Sequence, residues 1–164
     1  MLETIQYPVM GSIHPPVEAK ANRQRSDSLQ APPRVALADD HMDVLEEIRS
    51  LLEPEFQVVC SANEGSALVQ AVRESRPDGV VADIHMPGLS GIEAGKEIVR
   101  RGLCNSVVML TMHNDPDLIQ AARSAGIRGY VLKEDAGEEL IPALRAVLAG
   151  GRYVSRRVRA AGTH

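Results

Sequence analysis

Residues 80–93 read VVADIHMPGLSGIE. The run Val80–Ala82 is short and apolar, with two β-branched valines, which predicts a buried strand, and the polar Asp83 follows it at once. Ser90 and Glu93 then stand at the spacing of a capping box, in which each side chain satisfies the other's free backbone N–H, so a helix is expected to start there. Strand, loop and helix follow one another within a single short stretch.

The same alternation extends in both directions from this stretch. Further apolar runs of strand length lie at Val35–Ala38, Phe56–Cys60, Val107–Leu110 and Tyr130–Leu132. Between them, Val44, Leu45, Ile48, Leu51 and Leu52 form one helical stripe. Leu140, Ile141, Leu144, Val147 and Leu148 form another, and Ala67, Leu68, Ala71 and Val72 a shorter one. Pro54 ends the first helix, and Asp115-Pro116 is a capping acid followed by proline at the first helical position. Asp135 and Glu138 have capping-box spacing as well. Five strands alternating with five helices predict an α/β fold: an open, doubly wound parallel sheet covered on both faces.

Hydrophobic residues make up 44% of the 164-residue chain, enough for a sizeable core. Only Tyr7, Phe56, Tyr130 and Tyr153 are aromatic, so that core is aliphatic and platforms for stacking nucleic-acid bases are not expected. The net charge is -4. Acids outnumber bases between residues 34 and 154, which argues against direct binding of duplex DNA. Arg156, Arg157 and Arg159 give a basic tail too short to reverse that. Cys60 and Cys104 show no metal-ligand spacing and are expected to be free thiols. No apolar run reaches membrane-span length and no signal-peptide core is visible, so a cytoplasmic location without membrane contact is expected. Residues 1–33, with Pro8, Pro15, Pro16, Pro32 and Pro33 and no apolar period, read as a flexible extension.

In a doubly wound sheet, ligands bind beyond the carboxyl ends of the strands. The first strand ends in Asp39-Asp40, the third in Asp83, the fourth in Thr111 and the fifth in Lys133. Each has an ordinary explanation when taken alone. A strand-end Asp, such as Asp40, often caps the next helix, a strand-end Lys is usually solvated, and Thr is a β-former. Together they form a set for phosphoryl transfer. Crowded carboxylates call for a hard, oxygen-seeking cation such as Mg2+, one carboxylate attacks phosphorus, and hydroxyl and ammonium stabilise the equatorial oxygens.

Asp39-Asp40, VVADIHMPGLSGIE around Asp83, VVMLTMHND around Thr111 and GYVLKED around Lys133 resemble the receiver domains of two-component response regulators, over residues 34–154. LTMH, GYVLK and LAGGRYVS resemble the subgroup that precedes a LuxR/NarL-type helix-turn-helix domain. The resemblance implies a flavodoxin-like strand order 2-1-3-4-5 and phosphorylation of Asp83 by a histidine kinase or histidine phosphotransfer protein. It implies Mg2+ held by Asp39, Asp40, Asp83 and the backbone carbonyl of His85. Lys133 would contact the phosphoryl oxygens, with Thr111 and Tyr130 as the switch pair. A phosphorylation-dependent homodimer or an effector protein is the implied output partner, and residues 155–164 are then a basic tail or a truncated linker.

Some features depart from the family pattern. Glu134 stands where many receivers have a cis-proline, and Pro142 falls inside the last helix, where it is expected to kink or delay it. An aspartyl-nucleophile phosphatase is the alternative from another class, but such enzymes place an acid where His85 stands. A nucleotide-binding domain needs a glycine-rich first loop, which ADDHMD is not. A switch rather than an enzyme is therefore expected, with a receiver half of a DNA-binding regulator as a further alternative. His85 and His113, each two residues past a site residue, are expected on the rim of the site.

Overall fold

Along Val107-Val-Met-Leu-Thr111 the side chains alternate between two cores, because successive residues of a strand point to opposite faces. Val107 and Met109 join one buried cluster, and Val108 and Leu110 join the other. A strand that is apolar at every position belongs in a sheet buried on both sides. The computed structural model describes residues 31–161 of the chain.

The strands are β1 (Arg34–Ala38), β2 (Gln57–Ala62), β3 (Gly79–Ala82), β4 (Val107–Thr111), β5 (Gly129–Leu132) and β6 (Tyr153–Val154). The helices are α1 (Met42–Leu52), α2 (Gly65–Ser75), α3 (Gly91–Arg100), α4 (Pro116–Ser124), α5 (Ala136–Leu148) and α6 (Arg156–Ala161). The sheet order is β2-β1-β3-β4-β5-β6 with every pair parallel. The order expected for the first five strands is therefore observed. The two-residue β6 extends the sheet beyond β5, and α6 adds a sixth helix to the five expected.

Helices α1 and α5 cover one face, where Leu45, Ile48, Leu52, Leu140, Leu144 and Val147 pack on Val35, Leu37, Val81 and Val131. Helices α2, α3 and α4 cover the other through Leu68, Val72, Ala94, Ile98 and Ala122. The capping box at α3 forms as its spacing predicts: Glu93 N–H donates to Ser90 Oγ, and Ser90 N–H donates to Glu93 Oε2. Asp115 caps α4 through the N–H of Asp117, with Pro116 in the first turn.

Two caps differ from expectation. Asp40 does not cap α1: His41 occupies that position without a side-chain cap bond. Asp135 makes no cap bond either, because a 3-10 turn over Lys133–Asp135 precedes α5 and the Asp135 carboxylate reaches Arg157 instead. Pro142 neither breaks nor delays α5, which runs unbroken from Ala136 to Leu148. Pro142 and Glu138, whose carbonyl loses its i+4 partner, are both exposed, so that carbonyl is left on the solvent side of the helix rather than buried. No cis peptide bond occurs among the described residues, and both cysteines are free. The extension expected over residues 1–33 lies, except for residues 31–33, outside the described residues.

Candidate functional site

The parallel sheet delivers Asp39, Asp83, Thr111 and Lys133 to its carboxyl edge from β1, β3, β4 and β5. Asp39 and Asp83 are buried, with side chains 4% and 8% exposed, and Lys133 is 17% exposed. Lys133 Nζ lies 2.7 Å from Asp39 Oδ2 and 3.3 Å from Asp83 Oδ2. One ammonium thus bridges two buried carboxylates, which would otherwise repel each other in a poorly solvated site.

Burial pushes the Asp83 carboxyl above its ordinary range. Lys133 works against that, Asp39 adds to it, and the backbone N–H of His85 opposes it by hydrogen bonding. For Lys133, burial favours the neutral amine, but Asp39 and Asp83 outweigh it and leave the ammonium held more tightly than usual. The backbone around Asp83 has little freedom. Gly91 N–H donates to Ile84 O at 2.8 Å, and a Cβ added at Gly91 would stand 1.9 Å from the Asp83 backbone oxygen.

Thr111 is fully buried and continues the row of Val107 and Met109, the face of the sheet that also holds Tyr130. Its Oγ1 accepts from His113 N–H at 3.2 Å, and the Tyr130 hydroxyl donates to the His113 carbonyl at 2.8 Å. Burial, reinforced by Asp115 and opposed by a hydrogen bond with Thr111, pushes the Tyr130 phenol up to about 12. Thr111 and Tyr130 therefore hold one loop residue between them, while the two aspartates and Lys133 meet beside it.

A cleft of about 210 Å3 opens over these groups, lined by Asp40, His41, Asp83, His85, Met112, His113 and Lys133. The rings of His85 and His113 pack edge to face with centroids 4.5 Å apart, on the rim as expected. The strand-end reading missed His41. Its Nδ1 lies 2.9 Å from Asp40 Oδ1 and 3.3 Å from Asp39 Oδ1. Ligand atoms of Asp39, Asp40 and His41 all fall within 4.8 Å of one another, a spacing that suits a metal ion. The available signal was the position of His41 immediately after the acid pair.

A family profile described as "Response regulator receiver domain" matches residues 35–145. The chain belongs to the response-regulator receiver family. It is 33% identical over 127 residues to the transcriptional regulatory protein DegU of Brevibacillus brevis, covering 76% of this chain and 54% of that protein. It is 37% identical over 123 residues to the response regulator UvrY of Escherichia coli K12, covering 74% of this chain and 56% of that protein. The chain thus spans a little over half the length of these curated relatives. Among solved structures, a LuxR-family two-component response regulator from Aurantimonas sp. SI85-9A1 is 36% identical with a TM-score of 0.75, covering 79% of this chain and 94% of that one. The site described above is the carboxyl-edge site of this receiver domain.

Proposed function

We propose that Asp83 is the phosphoacceptor of a two-component phosphorelay, and that the chain acts as a switch rather than as a turnover enzyme. The observation that carries this reading is the Lys133 ammonium bridging the buried carboxylates of Asp39 and Asp83. In the proposed step an Asp83 oxygen bonds to phosphorus as the bond from phosphorus to the donor's imidazole nitrogen breaks. The imidazole keeps that electron pair, the site's cations hold the transferred charge, and the donor is a histidine kinase or histidine phosphotransfer protein. Lys133 follows the new negative charge, and Thr111 supplies its hydroxyl to a phosphoryl oxygen. As Thr111 turns toward the phosphoryl group, the His113 loop and Tyr130 lose their present arrangement.

Asp39, Asp40, Asp83 and the His85 carbonyl offer hard oxygen donors of the kind that suits Mg2+. When bound, that ion supplies positive charge against the carboxylates and the transferring phosphoryl oxygens. No helix among the described residues is long and apolar enough to cross a membrane, and the proposed phosphoryl donor is met in the cytoplasm. The output runs through protein contacts, a second copy or an effector, and not through direct DNA binding by this chain.

Acetyl phosphate with Mg2+ tests the assignment. Intact-mass spectra are expected to show one added phosphoryl group on the wild type and none on Asp83→Asn. Equal labelling of both proteins sinks it.

A further inference from the structure

Beyond α5 the chain returns to the edge of β5. The N–H of the fully buried Ser155 donates to Tyr130 O at 2.9 Å, and Ser155 Oγ accepts from Leu132 N–H at 2.9 Å. Arg156 N–H donates to Glu139 Oε1 at 3.2 Å. The Arg157 guanidinium lies 3.1 Å from Glu134 and 3.3 Å from Asp135, the two residues that follow Lys133 in its turn. Val158, only 5% exposed, packs into the core under α2, α3 and α4. Residues on both sides of Lys133 are therefore held by Ser155 and Arg157.

The turn over Lys133–Asp135 has a second anchor, the Lys133 ammonium on Asp39 and Asp83. Its attachment to α6 is weak by comparison. Arg157 and Glu134 both have side chains 61% exposed, and solvent screens such pairs so that they hold only weakly. A helix as short as Arg156–Ala161 does not persist without tertiary contacts. Asp135 Oδ2 and Glu139 Oε2 are buried without a hydrogen-bond partner, so the contact is only partly satisfied. Small displacements of the turn are enough to bias such an attachment.

We propose that Ser155–Ala161 is a latch, closed while Lys133 bridges Asp39 and Asp83, and released when Lys133 is drawn toward a phosphoryl group on Asp83. The latch rests on the reading of Asp83 as phosphoacceptor. As the ammonium follows the new charge, the turn moves with it. Leu132 N–H and Ser155 Oγ then lose their alignment, and Glu134 and Asp135 shift away from Arg157. Release frees a basic segment carrying Arg156, Arg157 and Arg159. It also withdraws Val158 and Arg159 from the wall of the groove beside α4, leaving Pro116, Ile119 and Val154 more open.

Residue-resolved amide exchange on the full chain reads the latch directly, since Leu132, Ser155 and Arg156 donate its bonds. In Lys133→Met, without any phosphorylation, their exchange is expected to rise about tenfold while Met109 and Leu110 stay protected. Acetyl phosphate with Mg2+ is expected to produce the same rise in the wild type, with intact mass measured on the same sample. Arg157→Ala is expected to exchange fast at Arg156 and Arg159 from the start and still to take up the phosphoryl group. Added mass with unchanged or slowed exchange overturns the latch and leaves Asp83 as phosphoacceptor. Absence of added mass overturns the phosphoacceptor and with it the trigger. Unchanged exchange in Lys133→Met overturns the coupling between turn and helix whatever the phosphorylation result.

Discussion

Asp83 occupies surroundings that oppose its own charge. It is buried beside a second carboxylate, and Lys133 only partly compensates, so its carboxyl is held above the ordinary value of 3.8. The folded chain therefore binds this proton more tightly than the unfolded chain does. Stability is lost as the pH rises from about 3.8 through the raised value, and stays lost above it. In EDTA at pH 7, Asp83→Asn is expected to be more stable by on the order of 1 kcal/mol, a midpoint rise of roughly 4 °C. Below pH 3.8 the wild-type carboxyl is itself neutral, and the two melting curves are expected to converge. A variant that melts lower than wild type at pH 7 would show that the Lys133 pair outweighs the burial. Asp39, Asp83 and Lys133 were legible in the sequence because strand ends in a parallel sheet share one edge. His41 was not, because its place beside both acids depends on how the chain turns into α1. That turn is fixed by His41 N–H donating to Asp39 Oδ1 at 2.9 Å.

Elements whose ends are defined by local chemistry were the most readable. The box of Ser90 and Glu93 satisfies two N–H groups at the start of α3 with residues only three apart, so its spacing alone announces it. Ser90→Ala is expected to lower stability by about 1 kcal/mol. Because α3 begins beside the Asp83 backbone, phosphorylation by acetyl phosphate is expected to slow in the same variant. Denaturant unfolding and initial labelling rates check both, and an unchanged midpoint would mean that the α3 start is held by packing alone. Asp135 carries the same spacing as Ser90, yet the turn after Lys133 and the pull of Arg157 take it out of capping geometry. Local pattern loses there to a contact made by residues far along the chain. The same holds for β6 and α6: two strand residues and a short basic helix have no period of their own. Their order comes from Tyr130, Leu132 and Glu139, which no window of sequence around residue 155 contains.

For the molecule as a whole, the sheet and its two cores follow from five apolar runs and three helical stripes, which is why the topology could be read before any contact was known. Its electrostatics follow from composition in the same direct way. The net charge is -4, and several of the arginines available to meet a phosphate backbone are already engaged. Arg145 pairs with Glu55, Arg156 with Glu139, and Arg157 with Glu134 and Asp135. Duplex DNA is bound by releasing counterions from its phosphates, and each phosphate needs its own free cation. A body whose acids exceed its bases repels the duplex at long range, and local arginines offset this only at low ionic strength. This chain alone is therefore expected to retain duplex DNA only weakly at about 50 mM salt and not at all at about 200 mM. Fluorescence anisotropy with labelled duplexes of unrelated sequence, titrated at both salt concentrations, measures this. The phosphorylated protein adds negative charge, and release of Arg156 and Arg157 from their acidic partners adds two available cations, so phosphorylation is expected to leave the weak retention nearly unchanged. A complex that forms on one duplex, resists competitor DNA and survives the higher salt would mean that the acidic body carries a reading surface of its own.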